Sequence, residues 1–233
     1  MEQNYNPLIV ITTFNQLATT KRCIESVYHE KHDILVIDDC STDGTANWLM
    51  EQGVDVYGKL YRRGLTDSWN IAYEIFKKER SRSHLILCNN DVIIPAGAID
   101  GLMSDHVLTV PMTNHAGAGY VNKDQSVDFY LDCGNFDPGY VQYTQRIQNI
   151  TKRGFKQIKH WTGFCMCFTR EIISYEREDG NLFNPATINV GNDDDLSSRV
   201  DCRLALGSFI YHSKGISFNK TIKDRDDLRK TYK

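Results

Sequence analysis

The sequence predicts an α/β fold with a mostly parallel central sheet and helices on both of its faces. Over the first ninety residues, short apolar runs alternate with segments whose apolar residues recur at helical spacing, which is the pattern of βαβ units. The runs themselves are apolar throughout, as buried strands are. With 233 residues, 41% hydrophobic and 24% charged, the chain has the composition of an ordinary globular protein and length for one sizeable core, so a single domain over residues 1–233 is expected.

The elements follow in order. Leu8, Ile9, Val10 and Ile11 form the first run, and Asn15 is a cap for a helix carrying Leu17, Ile24, Val27 and Tyr28. Ile34 to Ile37 make the second strand; Ser41, Thr42 and Asp43 offer caps for a helix through Trp48 and Leu49. A longer helix is expected over residues 66–78, with Trp69, Ala72, Tyr73 and Phe76 on one face, and Leu85 to Cys88 is the next strand. Pro95 starts a short helix ending near Ser104, and residues 107–110 read as a strand. Residues 114–137, rich in Gly, Asn and Asp, read as loop. Val141, Ile147 and Ile150 suggest a helix, residues 161–169 a strand, 171–177 a helix and 208–212 a last strand.

Composition excludes several function classes. A formal net charge of −3 gives no global attraction to nucleic acid or anionic lipid, so no stable nucleic-acid partner is expected. No apolar stretch approaches the roughly 20 residues of a membrane span, and the start lacks a signal-type pattern, so the expected location is cytoplasmic. The seven cysteines, odd in number and mostly in apolar contexts, read as free buried thiols, Cys165 and Cys167 on one strand face, rather than a disulfide framework or a zinc site. Residues 191–201 hold four aspartates against Arg199, and residues 220–233 hold six Lys/Arg against three Asp; the basic run reads as a solvated face.

In a parallel α/β sheet the ligand crevice lies beyond the carboxyl ends of the strands. The residues there are Thr12, Thr13, Phe14 and Asn15, then Asp38 and Asp39, then Asn89, Asn90 and Asp91. No P-loop occurs, and Gly117-Ala118-Gly119 lacks the third glycine and the strand-to-helix context of a dinucleotide fingerprint. A diphosphate can instead be held through a divalent cation on oxygen ligands, and Asp91 is placed to supply one.

Five segments together carry a resemblance: Ile9-Val-Ile-Thr-Thr-Phe-Asn15, Leu35-Val-Ile-Asp-Asp-Cys-Ser-Thr-Asp-Gly-Thr45, Leu85-Ile-Leu-Cys-Asn-Asn-Asp91, Gly191-Asn-Asp-Asp-Asp-Leu-Ser-Ser-Arg199 and Tyr211-His-Ser-Lys-Gly-Ile-Ser217. In order and spacing, over about residues 8–217, they resemble family-2 glycosyltransferases of the GT-A fold, most of all the short rhamnosyltransferase-like members. The resemblance implies a nucleotide-binding half over about residues 1–110 and an acceptor-binding half over about 111–233. It implies an inverting glycosyltransferase that takes a sugar from a nucleotide diphosphate donor, UDP or dTDP favoured, to a hydroxyl acceptor such as a glycan, with Mn²⁺ or Mg²⁺ at the diphosphate.

Carried over by position, the resemblance puts Thr12, Thr13, Phe14 and Asn15 at the donor nucleotide, with Asp39 as acceptor for a ring N–H of uracil or thymine. It puts Gly64 and Asn70 beside the diphosphate, where Arg62 or Arg63 could add charge, and Asn89 and Asn90 at the donor nucleotide, Asn89 with an amide oxygen that can accept a ribose hydroxyl. Asp91 matches the last acid of the family's D-x-D metal motif and His212 a further metal ligand, while Asn89 departs from the motif's first acid. Asp193 inherits the catalytic base, and Trp161, Thr162 and Gly163 the acceptor side. Asp193, Asp194 and Asp195 at a helix start point about 100° apart, so they cannot serve one site. Asp194 then reads as a solvated first-turn acid and Asp195 as the partner of Arg199 one turn on. The alternative class is a sugar-nucleotide or glycan binding module that keeps the fold without turnover, favoured by Asn89 and Asn192 where the family often has acids. A nucleotidyltransferase would want a glycine- and lysine-rich loop after the first strand, and a D-x-D-x-T phosphatase fails on the spacing of Asp38 and Asp39.

Overall fold

The computed structural model describes residues 5–28, 31–114, 125, 138–159, 161–189 and 191–213. The first half runs β1 (Pro7–Thr13), α1 (Leu17–Val27), β2 (Asp33–Asp38), α2 (Thr45–Glu51), β3 (Asp55–Gly58), α3 (Leu65–Lys78), β4 (His84–Asn89), β5 (Val92–Ile93), α4 (Ala98–Leu102) and β6 (Leu108–Met112). The second half adds α5 (Pro138–Ile150), β7 (Phe155–Ile158), β8 (Cys165–Thr169), a 3₁₀ helix (Arg170–Tyr175), α6 (Asn192–Ser197), β9 (Cys202–Phe209) and β10 (Tyr211–His212).

Eight strands form one sheet in the order β3-β2-β1-β4-β8-β6-β9-β7, and β10 pairs with β5 in a separate two-stranded ribbon. β1 pairs in parallel with β2 on one side and β4 on the other. β8 and β7 are the strands that run against the rest. Chain direction across the sheet reverses at β1, so α1 and α3 must cover opposite faces if both crossovers are right-handed. The side chains confirm this. Leu8 and Val10 pack with Trp69, Ala72, Tyr73 and Phe76 of α3, whereas Ile9 and Ile11 pack with Cys23, Ile24 and Val27 of α1 and Leu49 of α2. The split continues along β4 and β8, and Cys165 and Cys167 share a face as the sequence predicts. The six described cysteines are free.

Several expectations are corrected. Strands β3 and β7 are absent from the sequence reading because both lie at sheet edges and show few apolar residues, β7 burying only Ile158. Residues 161–164 are not strand, the segment expected as a helix over 171–177 is the 3₁₀ turn, and residues 208–212 divide between β9 and β10. Asn15 does not cap α1. Gln16 occupies that position at φ 64°, and the Leu17 N–H donates to the Asp43 carboxylate at 2.9 Å. The loop expected over 114–137, apart from Asn114 and Gln125, and the basic run over 220–233 lie outside the described residues.

Candidate active site

The carboxyl ends of β1, β2 and β4 lie side by side, and each delivers polar residues to one edge of the sheet. At the end of β1, the Thr13 hydroxyl is 2.9 Å from that of Thr20, and the Asn90 amide donates to both, at 3.1 and 2.9 Å. Thr12 donates to the Cys88 carbonyl at 3.4 Å. Asn15, at φ 54°, accepts from Thr42 N–H at 2.8 Å while its own N–H donates to Ser41 Oγ at 2.7 Å, joining the β1 and β2 loops. Phe14 carries the Arg62 guanidinium over its ring at 3.8 Å. That arginine is thus placed at the aromatic face the sequence reading gives to the base.

Asp39 is buried and already engaged. Its Oδ1 accepts from Arg63 N–H at 2.8 Å and lies 2.6 Å from Lys59 Nζ; its Oδ2 accepts from Gly64 N–H at 2.8 Å. A carboxylate offers about four acceptor positions, so one remains for a ligand N–H. Gly64 is held at φ +89°, and a Cβ there would lie 2.5 Å from Ile188 Cγ2 and 2.8 Å from the Ile188 carbonyl. Next to it, Leu65 N–H donates to Asn189 Oδ1 at 2.9 Å, Thr66 N–H to the Ile188 carbonyl at 3.1 Å, and the Thr66 hydroxyl to Thr187 O. The first two N–H groups of α3 therefore face protein. Asn70, expected beside the diphosphate, forms a two-way clasp with the backbone of Phe183: Nδ2 to O at 3.0 Å and N to Oδ1 at 2.9 Å. Both Gly64 and Asn70 thus join α3 to the 183–189 segment.

At the end of β4, Asp91 is 2% exposed. The antiparallel β5–β10 ladder sets His212 opposite Val92 and brings His212 Nε2 to 3.6 Å from Asp91 Oδ1. Asn89 Oδ1, two residues earlier, is buried and accepts no hydrogen bond from the described residues. A carboxylate beside an imidazole is a donor pair that suits a divalent cation. No group of three or more His, Cys, Asp or Glu among the described residues could hold a metal by itself, so a cation here would complete its shell with ligand and water. The rest of the His212 motif, residues 214–217, lies outside the described residues.

On the other side stands α6. Asp193 Oδ2 accepts from Gly163 N–H at 3.0 Å and Oδ1 from Asp194 N–H at 3.2 Å. Burial pushes the Asp193 carboxyl up, the Gly163 N–H works against that shift, and the neighbouring Asp194 charge adds to it. Asp194 is exposed. Asp195 pairs with Arg199 Nη2 at 2.9 Å as expected, and also with Arg177 Nη1 at 3.0 Å. Asn192 donates to Thr66 Oγ1 at 3.2 Å and accepts from Asp193 N–H at 3.1 Å.

Residues 163 and 164 tie the two sides together. Gly163 holds Asp193. Phe164 accepts the Asn89 N–H on its carbonyl at 2.9 Å and stacks its ring on His212, with centroids 4.6 Å apart and planes within 10°. Gly163 is closely packed, since a Cβ would lie 3.0 Å from Trp69 Cη2 and 3.2 Å from Asp193 Cβ. Thr162 N–H donates to Gln125 Oε1 at 2.8 Å. Trp161 is 5% exposed and belongs to the apolar cluster of Trp69 and Leu196, so its ring is core rather than an open sugar platform. Sequence reasoning missed the parts played by Phe164, Lys59 and Arg177. For Phe164 the signal was available in its place directly after Gly163.

The fold is that of GT-A transferases. Inositol-1-phosphate CTP transferase from T. maritima is similar at 10% identity and a TM-score of 0.51, with 95% of each chain covered. Glucosyl-3-phosphoglycerate synthase from Mycobacterium tuberculosis, solved with Mn²⁺, UDP-glucose and phosphoglyceric acid, is similar at 13% identity and a TM-score of 0.50, over 88% of this chain and 68% of that one. A further mycobacterial protein gives 12% identity and a TM-score of 0.52, over 90% and 68%. No curated protein matches the chain. Residues 8–174 match the profile of glycosyl transferase family 2, and the chain belongs to that family. Among the described residues no helix is long and apolar enough to cross a membrane.

Proposed function

We propose that this chain is a metal-dependent, inverting glycosyltransferase, one catalytic unit that moves a sugar from a UDP- or dTDP-sugar to a hydroxyl of a glycan acceptor. The observation that carries the reading is the Gly163-Phe164 junction, which fixes the Asp193 carboxylate on one side and the His212–Asp91 pair on the other. An inverting displacement needs those two functions on opposite faces of one sugar. Family membership supports the transferase class.

The residues then divide the work. Thr12, Thr13, Phe14 and Asn15 line the donor nucleotide, and Asp39 accepts a ring N–H that uracil and thymine have and cytosine lacks. Asn89 offers its orphaned oxygen to a ribose hydroxyl. Asp91 and His212 would hold the cation; one carboxylate with one imidazole suits Mn²⁺ better than the all-oxygen preference of Mg²⁺. When bound, that cation supplies counter-charge to the leaving diphosphate. Thr162 and Gly163 border the acceptor. Asp193, held by two N–H donors, takes the proton of the acceptor hydroxyl as its oxygen attacks the anomeric carbon. The bond from that carbon to the diphosphate breaks, the nucleoside diphosphate leaves, and the new glycosidic bond has inverted configuration. A carboxyl raised by burial is a stronger base for this step than an ordinary one. The described free thiols suit a reducing, cytoplasmic location.

The second reading, a binding module without turnover, is favoured by Asn89 and Asn192 at positions where acids are common in the family. Screening UDP- and dTDP-sugars with Mn²⁺ against glycan acceptors separates the two. Acceptor-dependent release of free nucleoside diphosphate identifies the transferase, and tight donor binding with no release under any pairing identifies the module.

A further inference from the structure

Lys59 is a cation inside the donor side of the site, and the mechanism above gives it no part. Its side chain is 4% exposed, and its ammonium lies 2.6 Å from Asp39 Oδ1, 2.9 Å from Asp67 Oδ2 and 3.2 Å from the Gly64 carbonyl. Three acceptors match its three N–H donors. Its backbone N–H donates to the Asp38 carbonyl at 2.9 Å, directly beyond β3, so the position follows from the β2–β3 pairing. The other charged groups around Asp39 lie farther out. Asp67 is shared through Lys59, the Arg63 guanidinium is exposed at 4.0 Å from Asp67, Arg62 rests on Phe14, and Asp38 is turned to Ser41.

We infer that Lys59 is a specificity-positioning residue, fixing Asp39 as a charged, acceptor-only group that selects bases with a ring N–H over cytosine. The inference rests on the base-reading role proposed for Asp39. Its logic is that a buried carboxylate without a counter-charge takes up a proton. A charged Asp39 accepts from the N3–H of uracil and repels the N3 lone pair of cytosine. A protonated Asp39 carries an O–H and donates to that same cytosine nitrogen, so the preference between the two bases is lost. The ammonium thereby decides which hydrogen bond Asp39 makes.

The test is calorimetry of UDP and CDP with Mn²⁺ on the wild type and on Lys59→Met, Lys59→Arg and Asp39→Asn, with folding checked by circular dichroism. Wild type is expected to prefer UDP. Lys59→Met is expected to lose on the order of tenfold in that preference, the equivalent of one weakened charge-assisted contact. Lys59→Arg keeps the charge and the preference. A purely structural role would weaken both nucleotides alike, and an unchanged UDP-to-CDP ratio in folded Lys59→Met overturns the inference. If Lys59→Met does not fold, Lys59→Gln, which also removes the charge, takes its place: a fallen UDP-to-CDP ratio supports the inference and an unchanged one overturns it. No preference in wild type, or an unchanged one in Asp39→Asn, defeats the base-reading role itself. A preference lost in Asp39→Asn and kept in Lys59→Met defeats only Lys59.

Discussion

Replacing Asp193 by Asn separates chemistry from binding and from stability in one variant. The amide keeps the shape and an oxygen to accept the Gly163 N–H, which the carboxylate accepts at 3.0 Å, but it cannot take a proton. Loss of a general base costs about 10² to 10⁴ in rate, or roughly 3 to 5 kcal/mol of barrier. Donor affinity should hold, because the residue faces the acceptor. Stability should move the other way. The folded carboxyl is raised above its unfolded value by burial, so the native state binds the proton more tightly than the unfolded chain, and stability falls as pH rises through the raised value. The Asn variant lacks that penalty. It should melt at or above the wild-type temperature at neutral pH, with the difference closing below the ordinary carboxylate range. The assay is nucleoside diphosphate release with donor titration, and thermal melts from below the ordinary carboxylate range up to neutral pH. Asp194→Asn, at an exposed position, should retain most activity. Near-normal turnover in Asp193→Asn, or a folded but inactive Asp194→Asn, refutes the assignment.

Three further outcomes are expected. UDP at 100 times its dissociation constant should stabilise the fold by about 2.7 kcal/mol with Mn²⁺, and much less with chelator; Asp91→Ala and His212→Ala should each remove the metal-dependent part, and equal melting shifts with and without metal would remove the assignment. Gly64→Ala, at φ +89° with Ile188 Cγ2 2.5 Å from the new Cβ, should cost at least about 2 kcal/mol, a fall of about 4 to 8 °C in Tm. Asn70→Ala should cost about 2 to 4 kcal/mol by orphaning both backbone groups of Phe183, with UDP affinity of the folded fraction unchanged. Lost UDP affinity at an unchanged Tm would instead return Asn70 to the diphosphate.

The first half of the fold was legible because its strands are continuous apolar runs and its helices show clean periodicity. Where side chains face solvent the pattern fades, and β3 and β7 were lost for that reason. The approach of His212 to Asp91, far apart in sequence, agrees with their joint assignment by motif position, and the pairing of Asp195 with Arg199 with helical spacing. What each polar residue bonds to was less legible, because that depends on chain segments far apart in sequence. Asn70 and Phe183 are 113 positions apart, and no local pattern reveals that the amide is taken. Lys59 follows an exposed strand, where a lone lysine reads as a solvated charge; only the folded loop shows it enclosed.

The contacts joining residues 64–70 to residues 183–192 bear on how such enzymes can be recombined. For an exchange of halves between members of the family, the middle of the chain would look like a natural seam. Here Gly64, Leu65, Thr66 and Asn70 each interlock with a residue from the later half, and Asn192, next to Asp193, reaches back to Thr66. A chimera cut at the midpoint would put a foreign surface against an α3 start that has no space for a single extra methyl group. The transplantable piece is therefore discontinuous: residues 183–192 should travel with α3, and the graft should be confined to the segments on either side.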